Sequence, residues 1–451
     1  MFHDRITKAD TSSVSLAELV GSFSYALDIT EGRPAGHCVR ACWIGTNLGR
    51  ALGLPSGDLH NLYYTLLLKD LGCSSNAARI CELYEADDRA FKQGFKTVGT
   101  SLAATLHFVF AKTARESSFG RRAAAVGNIL RNGTAIADEM ILSRCTRGAD
   151  IARSLRFSDE VCSGIYNLDE HWDGSGRPDH LRGEDIPLFS RIALLSQIAD
   201  VFHTHAGRRA AEAEVSRRSG TWLDPALVKE FLALAERTSL WTGLESPFLD
   251  SLLVALAPAE SIEAVDEDYL DAIAAAFGAV VDAKSPYTAG HSARVANYAS
   301  RIGFHLGVPE ARHRWLRRAA LLHDIGKLGV SNMILDKPGK LDDAQWEIMR
   351  THASHTHEIL GRIGALADLA PVAAAHHERL DGMGYPLGLI EAQISRETRI
   401  ITICDFYDAL TADRPYRGAM PPEKALAIIE AEVGRAIDRE CFQGLRAIVG
   451  A

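Results

Sequence analysis

The sequence predicts an all-α protein made of two helical domains in tandem. Leu, Ala, Glu and Arg dominate its long segments, and apolar residues recur three and four positions apart, as in Trp315–Gly329. Alternating patterns long enough for a β-strand are lacking. Glycine and proline cluster at 33–37, 285–291 and 381–386, and such clusters predict connections between helices rather than hairpins.

Composition and charge argue against two classes of protein. The chain has 451 residues, 47% of them apolar and 24% charged, which is typical of a globular protein with more than one core. Its 49 Lys and Arg stand against 58 Asp and Glu, and the net charge of −9 argues against broad nucleic-acid binding. The longest apolar run, Ala272–Val281, has 10 residues, whereas a membrane-spanning helix needs about 20.

The N-terminal residues and the cysteines predict a cytoplasmic protein. Residues 1–10 are charged from position 3 onward and contain no apolar signal core. The eight cysteines form no C-x-x-C pair and have no regular spacing, so we expect reduced thiols with a structural role.

An internal repeat supports the tandem arrangement. The string AGHxxR occurs at 35–40 and again at 289–294. A charged pair begins 32 residues after each of these histidines, Lys69-Asp70 in the first copy and His323-Asp324 in the second. Further on, DGSGRP and DGMGYP occupy corresponding places, each followed by an Arg-Ile pair. Three matches in the same order indicate a duplicated unit.

The two copies differ in length between the second and third of these matches. The stretch from the charged pair to DGxG covers 103 residues in the first copy and 57 in the second. We therefore predict a first domain at 1–260 with an insertion around 76–165, and a second domain at 261–451. The boundary is expected near 257–263, where a Pro and a run of acidic residues interrupt the helical pattern.

The second copy contains a set of histidines and aspartates that suits a metal centre. Imidazole and carboxylate together bind Fe, Mn, Zn and similar divalent ions, and a set this large suits two ions. Two ions about 3.5–4 Å apart can activate a water and neutralise a phosphoryl oxygen, as phosphoester hydrolysis requires. The candidate ligands are His291, His323, Asp324, His352, His376, His377 and Asp405.

These residues carry a resemblance to the HD-GYP domain, a bacterial branch of the HD phosphohydrolase superfamily. AGHSARV, LLHDIGK, HHERLDGMGYP and ICDFYDALTADRPYR resemble its motifs over roughly 270–445. The resemblance implies an all-helical fold and a centre of two or three ions, commonly iron or manganese. It also implies hydrolysis of cyclic di-GMP to pGpG or GMP. Carried over by position, the seven residues become metal ligands and Asp324 the bridge between ions.

Four further residues receive roles from the same comparison. Lys327 resembles the HD-x-x-K lysine, which would hold a phosphate oxygen or protonate the leaving alkoxide, and we expect it one turn beyond His323 on the same helix. Tyr385 of GYP resembles a residue of the loop beside the nucleotide, and Arg414 and Arg417 are candidate phosphate clamps. A surface role for the two arginines is an equal alternative.

The metal count follows from one departure from the family. Some members have a glutamate four residues before the first histidine, as a ligand of a third ion, and this chain has Tyr287 there. We therefore expect two ions, with iron or manganese favoured and zinc, nickel or cobalt as alternatives.

The first copy keeps few of the ligands. His323 corresponds to Lys69, the His376-His377 pair to Leu168-Asp169, and Asp405 to Gln197, whereas His37 and Asp70 remain. We predict a pseudo-enzyme domain without metal. Lys69 is expected either to replace an ion by pairing with an acid such as Asp70, or to extend its stem to solvent.

The prediction for the whole chain is a cytoplasmic metal-dependent phosphodiesterase acting on a cyclic dinucleotide, with cyclic di-GMP as the first candidate. Alternatives are an HD phosphohydrolase acting on another nucleotide or phosphoester, a signalling adaptor that binds a nucleotide without turnover and, more remotely, a di-iron oxygenase. A homodimer or signalling partner proteins are further possibilities; no membrane association is expected.

Overall fold

The computed structural model describes residues 16–32, 36–95, 108–113, 119–258, 265–415 and 417–450. The sequence predictions for residues 1–10 and for most of the proposed domain boundary fall outside these ranges. Within them the secondary structure is helical and contains no strand, only isolated bridges. The all-α prediction is confirmed.

The helices are α1 Leu16–Thr30, α2 His37–Ala51, α3 Ser56–Leu68, α4 Ala77–Tyr84, α5 Asp88–Phe95, α6 Phe119–Ser154, α7 Asp159–Tyr166, α8 Leu188–Ala206, α9 Arg208–Arg217, α10 Pro225–Ala235, α11 Thr238–Leu244, α12 Leu249–Leu256, α13 Glu267–Asp282, α14 His291–His305, α15 Glu310–Leu322, α16 Asn332–Leu335, α17 Asp343–Gly361, α18 Ala370–Ala374, α19 Arg396–Thr411, α20 Pro422–Glu430 and α21 Arg439–Val449. Short 3₁₀ turns at Cys73–Asn76 and Ile325–Gly329 carry residues that matter below.

Several helices of the second half begin at a side chain that caps them. The carboxylate of Asp266 accepts the backbone N–H of Tyr269 at the start of α13, and Asp438 does the same at the start of α21. Asp342 and Gln345 form a capping box at α17. Such caps satisfy N–H groups that have no partner within the helix, and so they define where each helix starts.

The two halves repeat in three dimensions. Helices α2 and α14 have 15 residues each, and α3 and α15 have 13 each. A left-handed glycine precedes both α2 and α14, Gly36 at φ 88° and Gly290 at φ 69°. The tandem arrangement of HD-type helical units is confirmed.

The position of the insertion follows from two glycines. A Cβ added to Gly326 would lie 1.9 Å from the carbonyl oxygen of His352, and one added to Gly72 would lie 1.9 Å from the carbonyl oxygen of Arg144. The last part of α6 therefore packs on the first half's 3₁₀ turn as α17 packs on the second. Arg144 takes the place of His352, so the extra residues of the first half precede Arg144.

The halves share one continuous hydrophobic core. Phe23 of α1 stacks on Phe277 of α13 with ring centroids 3.8 Å apart. The Tyr25 hydroxyl donates to Glu358 of α17 at 2.7 Å, and Arg362 lies over the Tyr25 ring. The predicted domains therefore pack side by side as one body of helices, while their boundary stays a prediction.

Two predictions from composition can be compared with this fold. All eight cysteines are free and buried, as expected for structural thiols. Among the described helices, none combines the length and the apolar character that crossing a membrane would demand.

Candidate metal centre

The centre lies where the α15 helix stops. The sequence predicted that His323, Asp324 and Lys327 continue one helix, but α15 ends at Leu322 and a 3₁₀ turn follows at Ile325–Gly329. The expectation of a continuous helix is wrong because α17 approaches this turn closely enough to require Gly326. The break lets the adjacent His323 and Asp324 face the same point, with 3.4 Å between His323 Nε2 and Asp324 Oδ2.

Asp324 lies between two pairs of histidines. Its Oδ2 atom lies 3.4 Å from Nε2 of both His291 and His323. Its Oδ1 atom lies 3.6 Å from Nε2 of both His352 and His376. Each oxygen of one carboxylate therefore faces its own pair of imidazoles, which is the arrangement a bridging ligand needs.

Backbone carbonyls orient three of these rings. The Nδ1 atoms of His323, His352 and His376 each donate to the carbonyl three residues earlier, at 2.7, 2.6 and 2.6 Å. A neutral ring whose Nδ1 carries the proton has its lone pair on Nε2. All three Nε2 atoms point into the centre, so the fold presets the tautomer that binds a metal.

Asp408 orients the fourth ring. Its Oδ2 atom accepts Nδ1 of His291 at 2.7 Å, while Arg294 donates to both carboxylate oxygens. Sequence reasoning did not assign Asp408 or Arg294 to the site. The available signal was that the first half keeps Asp200 at the position corresponding to Asp408, although it loses most ligands.

The remaining ligands form the less buried side. Asp405 Oδ1 lies 3.4 Å from His291 Nε2 and its side chain is 13% exposed. His377 shares a potential three-histidine group with His352 and His376. The structure thus brings all seven predicted ligands into one cluster, which opens towards Asp405 and His377.

Tyr385 forms one wall of this opening. Its ring centroid lies 4.7 Å from that of His377, and the exposed Arg350 guanidinium lies 5.4 Å from the centroid of the Tyr385 ring. Burial raises the pKa of Tyr385, so its phenol stays protonated at neutral pH. Arg350 is a further candidate for substrate contact. Sequence reasoning missed it, although it lies two residues before His352.

The other predicted residues differ in what they contact. Lys327 is half-buried and its ammonium contacts Asp324 Oδ2 directly. Arg417 donates to the carbonyls of Ala409 and Leu410, at the end of α19. Arg414 lies beside it in a short backbone bridge. The phosphate role of the two arginines stays a prediction, and the observed contacts of Arg417 stabilise the end of a helix.

Burial and carboxylates shift the histidine pKa values in opposite directions. Burial lowers the pKa of His291, but Asp324, Asp405 and Asp408 outweigh it and raise the pKa to about 10. Burial lowers the pKa of His352 to about 4 and that of His377 to about 3. His352 and His377 are therefore neutral at pH 7, the form of imidazole that binds metals.

The residues present fit a pair of divalent ions. Asp324 Oδ1, His291 Nε2 and His323 Nε2 are buried and make no hydrogen bond of normal geometry. Buried polar atoms without hydrogen bonds are costly, and metal ligation satisfies them. Imidazole with carboxylate suits Fe, Mn, Co, Ni or Zn.

The first half has amino-acid cations at the corresponding positions. Lys69, in place of His323, is fully buried and its ammonium contacts the carboxylate of Asp70. Arg144, in place of His352, contacts Asp169, which stands where the second half has His377. The pairing of Lys69 with Asp70 is confirmed, and the alternative of a solvent-exposed Lys69 is wrong.

The orienting pair of the first half survives this exchange. His37 Nδ1 lies 2.6 Å from Asp200, and Arg40 Nε lies 2.6 Å from the same carboxylate. The Lys69 ammonium lies farther from its other neighbour on α2, with 4.0 Å between Lys69 Nζ and Cys38 Sγ. The absence of metal from this half stays a prediction.

Comparison with known proteins decides the family. The HD domain (HD_5) matches residues 125–227 and 277–441, more than half of the chain. The chain belongs to the HD domain family. The predicted membership of the HD phosphohydrolase superfamily is confirmed, and the second matched stretch covers all seven candidate ligands.

Similar proteins agree with this assignment. The chain is 53% identical over 431 residues to "3'3'-cGAMP-specific phosphodiesterase 3" of Vibrio cholerae, covering 96% of this chain and 94% of that protein. It is 34% identical over 197 residues to "Cyclic di-GMP phosphodiesterase response regulator RpfG" of Xanthomonas campestris, covering 42% of this chain and 50% of that protein.

A solved structure is similar over nearly the whole length. The crystal structure of a cyclic GMP-AMP specific phosphodiesterase of V. cholerae (V-cGAP3) covers 97% of this chain and 98% of its own, at 48% identity and a TM-score of 0.65. The predicted enzyme class, a metal-dependent phosphodiesterase, is confirmed.

Proposed function

We propose that this HD-family phosphodiesterase hydrolyses 3′3′-cGAMP to a linear dinucleotide at the centre around Asp324. The observation that carries the site is the Asp324 carboxylate, each of whose oxygens lies 3.4–3.6 Å from a separate pair of histidines. The relatives support hydrolysis of a cyclic dinucleotide by this chain. The choice of 3′3′-cGAMP among the cyclic dinucleotides is our proposal.

The substrate proposal rests on a relative that matches nearly the whole of this chain. That relative is named for 3′3′-cGAMP and covers 96% of the sequence, whereas the cyclic di-GMP relative covers 42%. Cyclic di-GMP, the first candidate from sequence, therefore becomes the second candidate. Both molecules contain the same pair of 3′–5′ phosphodiester linkages, so one centre can act on either.

The seven ligands would hold two divalent ions. Such ions supply an activated water and neutralise negative charge on the phosphoryl oxygens. Asp324 would bridge them, since its Oδ2 faces the His291 side and its Oδ1 the His352 side. The His377 and Asp405 side is the less buried one, so we assign the approach of the scissile phosphate to it.

Lys327 and Tyr385 would act on the substrate itself. The Lys327 ammonium reaches Asp324 and so lies within reach of a phosphate bound beside that carboxylate. There it would stabilise charge that develops on the phosphoryl oxygens or protonate the leaving alkoxide. The Tyr385 ring beside His377 offers a flat surface for a base, and its protonated hydroxyl can donate a hydrogen bond.

The test is a substrate panel with the full chain. Protein loaded with Mn(II) or Fe(II) is incubated with 3′3′-cGAMP, cyclic di-GMP, cyclic di-AMP and ordinary nucleotides, and products are identified by mass spectrometry. We expect the highest kcat/KM for 3′3′-cGAMP. Faster turnover of cyclic di-GMP would replace the substrate proposal, and binding without any product would favour the adaptor alternative.

A further inference from the structure

A helix of the insertion makes a buried contact with the second half. Asp88, the first residue of α5, is fully buried. Its Oδ1 accepts Ser331 Oγ and the backbone N–H of Asn332, both at 3.0 Å. Its Oδ2 lies 3.4 Å from the ammonium of Lys284, which is also buried. Three groups of the second half therefore converge on one carboxylate of the first.

The next residue makes a second contact across the same interface. Arg89 Nη1 donates to the carbonyl of Gly329 at 2.6 Å, and Arg89 Nε donates to the carbonyl of Ile29 in α1 at 3.2 Å. Arg89 therefore ties the last residue of the Ile325–Gly329 turn to α1.

This turn carries Lys327. Backbone hydrogen bonds close both ends of the turn, from Lys327 N to Asp324 O at 2.8 Å and from Val330 N to Lys327 O at 3.0 Å. A short 3₁₀ turn has poor internal hydrogen-bond geometry and depends on tertiary contacts for its shape. Gly329 lies at the end of this turn and Ser331 just after it, so Arg89 and Asp88 hold the segment that follows Lys327.

We propose that Asp88 and Arg89 are positioning residues for Lys327, so that the insertion of the degenerate half completes the active half. The inference rests on the proposed function and names a structural requirement of that same site. The metal ligands have their own supports, backbone carbonyls for three histidines and Asp408 for His291. Loss of Arg89 should therefore affect Lys327 more than metal binding.

The test is a double-mutant cycle in the full chain. Arg89→Met keeps the length of the stem and removes the donors to Gly329 and Ile29. Arg79→Met is the matched control, because Arg79 pairs with Glu82 and Glu139 of the first half only. Each is made in the wild type and in Lys327→Ala, with metal content, thermal transition, kcat and KM measured for all.

We expect Arg89→Met to lower kcat about ten- to a hundredfold, with KM and metal content unchanged. In the Lys327→Ala background the same change should cost no further kcat, since the group it positions is gone. Arg89→Lys, which can still donate to one carbonyl, should recover part of the loss, and Arg79→Met should behave as wild type.

Three results would overturn the inference: wild-type kcat in Arg89→Met, an equal loss in both backgrounds, or loss of metal together with kcat. If Arg89→Met has no thermal transition, Arg89→Lys takes its place in the cycle, with a smaller loss of kcat expected in the wild type and no further loss in Lys327→Ala. The cycle is also run with bis(p-nitrophenyl) phosphate, a general phosphodiester. If the wild type cleaves this compound but no cyclic dinucleotide, the proposed substrate is wrong. The positioning role is then judged from the cycle measured with bis(p-nitrophenyl) phosphate.

Discussion

His291 and Asp408 form a buried imidazole–carboxylate pair, with 2.7 Å between Nδ1 and Oδ2. The corresponding pair of the first half, His37 and Asp200, is 2.6 Å apart. An arginine donates to the aspartate in both halves, Arg294 to Asp408 and Arg40 to Asp200. This relationship persists where most of the other metal-type residues have been replaced, so it supports the packing of the helices as well as any ligand.

The duplicated pair gives a matched comparison. Asp408→Asn should weaken metal binding about 10- to 100-fold, because His291 loses the carboxylate that orients it. Asp200→Asn should leave metal affinity and kcat unchanged while lowering the thermal transition, since both aspartates are buried and paired. Titration with Mn(II), monitored by calorimetry, measures the metal affinity of both variants. Equal metal affinity in the two variants would show that Asp408 has only a packing role.

Asp324→Ala should abolish tight metal binding and hydrolysis together. The change removes both oxygens that face the two histidine pairs. Elemental analysis of the full chain should give about two ions for wild type and far fewer for the variant. Wild-type turnover by Asp324→Ala protein would eliminate the proposed centre.

Lys327→Ala should keep the metal and lose catalytic rate. Its ammonium is half-buried beside Asp324 but cannot itself ligate while protonated, so its removal leaves all seven candidate ligands in place. We expect a fall in kcat of about a hundredfold at unchanged metal content. A parallel loss of bound metal would assign Lys327 to the support of Asp324 rather than to the phosphate.

Lys69→Met should destabilise the protein without changing its metal content. The substitution removes a buried cation from the carboxylate of Asp70, and breaking such a pair costs about 3–5 kcal/mol. Urea denaturation measures the free energy of unfolding. The double variant Lys69→Met/Asp70→Asn should regain part of it, because the buried charge is also removed. Unchanged stability in the single variant would contradict the view that Lys69 takes the place of an ion.

Much of the site was accessible from spacing and residue type. The HD and HH pairs, His291 and Asp405 are chemically distinctive, and their order along the chain resembles one family closely. The repeat at AGHxxR and at DGxG was equally plain, and it predicted which half had lost its ligands. Pairing of Lys69 with Asp70 was one of two alternatives open before the structure, because a buried carboxylate needs a cation.

Other features depend on contacts between residues far apart in sequence. Arg144 has no recognisable motif, and its equivalence to His352 rests on the approach of α6 to Gly72. The break after Leu322 follows from the approach of α17 to Gly326, which helical periodicity does not register.

The sequence by itself determined the helical class, the duplicated unit and the metal-type residues, because each depends on local periodicity or on residue chemistry at fixed spacing. Only the tertiary structure decided that Asp324 lies between two pairs of histidines and that Asp88 and Arg89 reach the turn of Lys327. Those contacts join residues up to 244 positions apart. Their geometry comes from the packing of whole helices around a shared core, and no short stretch of sequence encodes it.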